Sequence, residues 1–174
     1  MVVAALAAGL ALSGCGGGGG GVSAGALHSY LGEVQPVRLG VNRLLEGADP
    51  ILDAYNDHRI SGQQAADEMG RLEERFASYT ETILAVHPSN ATLARINAPY
   101  AHTYILEDSY LNALVAALPD GDFDSLPNTQ SAQRAAIIEW RLQLELLARQ
   151  AHLRLPANLQ QAGRGEIAPA PSGS

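Results

Sequence analysis

Between Leu27 and Tyr55 the apolar residues fall at Leu27, Tyr30, Val34, Val37, Val41, Leu44, Ala48, Ile51 and Tyr55, in alternating steps of three and four. An α-helix turns once in about 3.6 residues, so this spacing gathers these side chains on one stripe; a strand would need an apolar residue at every second position. The stripe runs through Pro36 and Pro50. Each proline removes a backbone donor and bends a helix, yet the phase survives both, which predicts one long kinked helix over residues 23–56.

The spacing recurs at Ala65, Met69, Leu72, Phe76, Tyr79, Ile83 and Val86. Ser61 and Gln64 stand where a capping box would open this second helix, and Pro88 stops it. A short turn over 89–96 is expected next, then a third helix capped by Asn97, with Pro99 in its first turn, running to Leu118 before Pro119-Asp120-Gly121. A fourth begins near Asn128 or Thr129 and carries Ile137, Trp140, Leu144, Leu147, Ala151 and Leu155 on one face. Ile138, Leu142, Leu146 and Leu153 form a second line roughly opposite. Two lines need two partners, so either the bent first helix covers the second line or another chain does. No segment has strand period and no internal repeat is present. The expected fold is all-α, an up-down-up-down four-helix bundle with a long Pro-kinked first helix, over 23–156. Residues 157–174, rich in Gly, Pro, Ala and Ser, are expected to be disordered.

Residues 2–12 are an uncharged apolar run, too short for a membrane-spanning helix, which needs about 20 residues. Leu12-Ser13-Gly14-Cys15 follows, and then six consecutive glycines, Gly16 to Gly21. A leucine, two small residues and a cysteine at the end of such a run resemble the lipobox of bacterial lipoprotein precursors. That resemblance implies a signal peptide at 1–14, cleavage between Gly14 and Cys15, and a thioether-linked diacylglycerol on Cys15. Two acyl chains anchor stably where one does not, so the implied location is the extracytoplasmic face of the cell membrane. Residues 15–22 would be the tether, and six glycines span only about 12–15 Å as a flexible coil. Signals of this kind ordinarily open on Lys or Arg; that residue either stands upstream of Met1 or is dispensed with.

Net charge is −7, with eighteen acids against eleven basic residues, every one of them arginine and scattered along the chain. Nucleic acid requires clustered basic side chains and is not an expected partner. An anionic bilayer surface would repel the domain. There is no P-loop and no second cysteine, and no nucleophile, base and orienting group can be lined up, so no enzymatic activity is expected. His28, His58, His87, His102 and His152 include no pair at helical metal spacing, and no Glu-x-x-His occurs; no metal or cofactor is expected. Asp120, Asp122 and Asp124 alternate as at the start of a calcium loop. Its sixth and twelfth positions, which need Gly and Glu, are Ser125 and Ser131 here.

One residue breaks the helical pattern. On the third helix Tyr100, Tyr104, Tyr110, Leu111, Leu114 and Leu118 form the apolar arc, and Glu107 falls in its middle. A carboxylate there must be paired, hydrogen-bonded or protonated. Two explanations stay open: a structural bond to a tyrosine or to a facing arginine such as Arg43 or Arg141, or a ligand contact in which Glu107, His102, Tyr104 and Tyr110 line a site. His102 and Glu107 would be the first members of any metal site built across helices. The expected role is a membrane-anchored, non-enzymatic interaction or scaffold module of the cell envelope, binding an envelope protein or another copy of itself. A small-ligand or metal-binding bundle around Glu107 is the alternative.

Overall fold

A computed structural model of the chain describes residues 21–163 and 165–171. The apolar run, Cys15 and the glycines before Gly21 lie outside them. Among the described residues there are five α-helices and no strand: α1 Ala24–Leu45, α2 Ala48–Asn56, α3 Gly62–Leu84, α4 Ala91–Ala117 and α5 Gln130–Gln150, with a 3-10 turn at Ala157–Gln161. The chain is an all-α bundle, as the apolar period requires.

The stripe from Leu27 to Leu44 is buried, and Pro36 lies inside α1 without ending it. The helix stops instead at Glu46 and Gly47, where no proline stands, and Pro50 falls in the first turn of α2, where its missing N–H leaves no helical bond unmade. One kinked helix was expected over 23–56; two form, and the phase shifts at the break. Ala48, Leu52 and Ala54 are the buried residues of α2, while Ile51 and Tyr55 are half-buried.

Ser61 caps α3 in a full capping box with Gln64, at 3.2 and 2.9 Å. The N-cap of α4 is Asn90 rather than Asn97: its side chain accepts the N–H groups of Thr92 and Leu93 at 2.9 and 3.2 Å. The expected separate turn over 89–96 is therefore mostly helix, with Pro99 inside it. Packing is most extensive between α3 and α4, then between α4 and α5, with α1 and α2 laid against α3. Trp140, Tyr100, Phe76, Met69, Leu111 and Leu114 fill the centre.

Residues 157–163 and 165–171, expected to be disordered, are folded onto the bundle. Leu159, Ala162 and Ala168 are buried. The side chains of Arg141, Arg134 and Gln130 donate in turn to the carbonyls of Gln160, Gly163 and Ala168, at 3.0, 3.2 and 3.0 Å, so the segment runs back along α5 toward its start. Composition missed this because the attachment uses main-chain carbonyls, which every residue type supplies.

Candidate functional site

Seven polar or charged residues are buried among the described ones, and five of them, Arg38, Thr103, Glu107, Gln133 and Glu166, line the seam between α1, α4, α5 and the C-terminal segment. Burying a charge costs several kcal/mol unless it is paired, so each must find a partner there.

Glu107 finds two. Its Oε1 accepts the Ala168 N–H at 2.6 Å and its Oε2 accepts Gln133 Nε2 at 2.8 Å. Gln133 is held in that orientation because it also donates to the Thr103 carbonyl at 3.2 Å and accepts the Thr129 hydroxyl at 3.1 Å. Burial raises the Glu107 carboxyl above its ordinary value, and the two donors pull back against that. Beside it, Tyr110 Oη donates to the Pro169 carbonyl at 3.1 Å. Burial, then the Glu107 charge, pushes that phenol up to about 12. Glu107, Gln130 and Tyr110 thus engage the N–H and C=O of Ala168 and the C=O of Pro169.

The second anchor is Arg38. Its Nη1 meets Glu166 Oε1 at 3.0 Å, its Nη2 donates to the Asn158 carbonyl at 3.1 Å, and its Nε donates to Gln35 at 3.1 Å. Glu166 also accepts the Gly163 N–H at 3.4 Å and the Tyr100 hydroxyl at 3.5 Å. Burial raises the Glu166 carboxyl even against the Arg38 charge. Tyr100 and Tyr104 share a 3.0 Å hydrogen bond, and burial pushes both phenols up. Tyr100 stacks on Trp140 at 3.9 Å; Trp140 Nε1 donates to Tyr30 Oη, and Tyr30 Oη to Asn97 Oδ1, each at 2.8 Å.

Of the residues singled out from sequence, Glu107 and Tyr110 come together. Tyr104 is buried but bonds Tyr100 and stacks on Phe76 rather than reaching Glu107. His102 is exposed and separate. Arg43 is exposed, and Arg141 is engaged with Gln160 and Glu145. Among the described residues the partners of Glu107 are therefore an amide and a backbone N–H, not a tyrosine or an arginine. Arg38, Gln133 and Glu166 were missed. Arg38 is four residues after Val34 and three before Val41, on the buried face, and Glu166 is the one acid after Glu145; both departures are visible in the sequence.

Among the described residues no three His, Cys, Asp or Glu side chains are placed to hold a metal ion. None of their helices is long and apolar enough to cross a membrane. No family model, no curated protein and no solved structure matches the chain.

The second apolar line of α5 stays uncovered. Ile138, Leu142 and Leu146 are 37%, 47% and 44% exposed, and α1 does not wrap over them. Leu153 alone of that line packs against the core.

Proposed function

We propose that the chain is an envelope lipoprotein, anchored through lipid on Cys15 at the extracytoplasmic face of the cell membrane. Its helical domain is a non-enzymatic interaction or scaffold module, and its partner surface is the outer face of α5. The observation that carries this reading is the exposed line Ile138, Leu142 and Leu146, because large apolar side chains aligned on one helix face cost solubility unless something covers them. The anchor rests on Leu12-Ser13-Gly14-Cys15 and the glycines behind it. Within the same reading the long helices run up-down-up-down, with α1 bent at Pro36. The pairs Tyr100–Trp140 and Glu107–Gln133, descending α5 as they ascend α4, support the antiparallel order of those two. The ligand-binding alternative gains nothing from Glu107, whose two oxygens are engaged by the chain itself.

Two measurements test this. Cells fed a labelled fatty acid should label the wild-type chain and not Cys15→Ser. Cross-linking in membranes should give a species larger than the single chain whose yield falls in Leu142→Asp/Leu146→Asp while helical content is kept. A wild type that stays single in membranes would sink the interaction reading, and an unlabelled wild type the anchor.

A further inference from the structure

The C-terminal segment is attached in a way that a second copy of the chain could satisfy equally well. Its anchors, Arg38, Glu107, Tyr110, Gln130, Arg134 and Arg141, all belong to the helices, and what they hold is one carboxylate and a series of main-chain groups. Moving the segment to the same groove of an identical molecule would preserve every one of these bonds. Only the linker and the seam then decide which arrangement forms.

Both are poorly closed. Four buried side-chain atoms among the described residues have no hydrogen-bond partner, and two of them, Gln35 Nε2 and Asn158 Oδ1, belong to the residues that hold Arg38 at this seam; a third, Arg141 Nε, has only Glu145 at 3.6 Å. Unmet buried polar atoms cost about 1–3 kcal/mol each, so the segment sits at the weakly held end of the structure. The linker that turns it back onto α5 passes through His152, a non-glycine residue in the left-handed region at φ 53. There it closes α5 through the Leu153 N–H to Ala148 carbonyl bond at 2.8 Å, a position that glycine fills most easily. Leu153, Leu155 and Leu159 pack against the core, but with Pro156 they also border an open cleft of about 420 Å³ between the linker and the end of α5. Strained, short linkers of this kind favour exchange between copies. The docked segment also runs beside the uncovered line of α5: a Cβ at Gly163 would lie 3.8 Å from Ile138. An exchanged segment therefore brings a second molecule to the face that has no cover.

We propose that residues 157–171 form a detachable arm that two copies of the chain exchange, the arm of each carrying Glu166, Ala168 and Pro169 onto the Arg38, Glu107, Gln130 and Tyr110 of the other. This goes beyond the interaction reading and does not depend on the lipid. Charge reversal tests it. Full-length Arg38→Glu opposes its own Glu166, and full-length Glu166→Arg opposes its own Arg38. When the two are mixed, exchange pairs Arg38 of one copy with Glu166 of the other, and the two introduced charges with each other. Unfolding and refolding the two together is expected to give a heterodimer of twice the single-chain mass, melting above either variant alone. It should persist with Leu142→Asp in both copies, which separates it from association through the α5 face. Two monomers that ignore each other would overturn the proposal. Should neither variant refold, the mass of the native full-length chain refolded at high concentration answers the same question: a dimer that survives Leu142→Asp supports exchange, and a monomer at every concentration overturns it.

Discussion

At the level of single residues, Glu107 shows what a buried carboxylate needs. It is 1% exposed, and among the described residues it is met by no opposing charge; an amide and a backbone N–H stabilise it instead. Replacing it with leucine leaves the Ala168 N–H without an acceptor in the interior, while Gln133 keeps the Thr103 carbonyl. An orphaned buried donor costs about 1–3 kcal/mol, so Glu107→Leu should lower the urea-unfolding free energy by about that amount, with increased proteolysis after residue 156. A variant as stable as wild type would contradict the structural role. The suspicion about Glu107 was legible because a helical wheel places it among tyrosines and leucines. Its partners were not, since Gln133 and Ala168 come from other elements and no local pattern links them. Grouping His102 with it failed for a geometric reason that was available: five residues at 100° each put the two about 140° apart around α4.

Among the elements, periodicity located each long helix, while their ends depended on contacts it does not describe. Pro36 and Pro50 drew attention as bends, yet the chain breaks at Gly47, and Asn97 looked like a cap because it precedes Pro99. Its actual task is in the core, accepting from Tyr30 at 2.8 Å and donating to the Val86 carbonyl at 3.2 Å. The second apolar line of α5 was legible; whether α1 reached it was a question of helix placement. Placement also fixes the start of α3. A Cβ at Gly62 would meet the carbonyl oxygen of Leu118 and that of Pro119 at 2.9 Å, both of them backbone that no rotamer change can move aside. Forcing added carbon into a filled contact costs about 1–3 kcal/mol, outweighing the gain in helix propensity of about 1 kcal/mol from losing a glycine. Gly62→Ala should therefore lower the melting temperature, whereas Gly70→Ala, also on α3 and with only Val115 at 3.8 Å, should not. Equal melting temperatures for the two would refute the close approach of α3 to the end of α4.

For the molecule as a whole, the seam makes stability depend on pH in an unusual direction. Paired carboxylates are commonly depressed, and such proteins weaken in acid. Here burial outweighs the partners, and Glu107 and Glu166 are both raised above the glutamate value of 4.5. The folded chain then holds these protons to higher pH than the unfolded chain does. Between 4.5 and the raised values the native state binds more protons, so stability falls as pH climbs through that window; below 4.5 their contribution is fully present. One such group changes the unfolding free energy by at most about 1.4 kcal/mol per pH unit. The net charge of −7 adds self-repulsion that grows with pH in the same direction, so the slope in wild type alone does not isolate the seam. Glu107→Gln does: its side-chain oxygen can still accept the Ala168 N–H, but it has no proton to release. Urea denaturation from about pH 4.5 to 7 should give a falling stability in wild type and a flatter profile in Glu107→Gln, the two curves lying closest at the acid end and separating as pH rises. Parallel curves would mean that Glu107 titrates alike in folded and unfolded chains, and that the arm is not docked on it in solution.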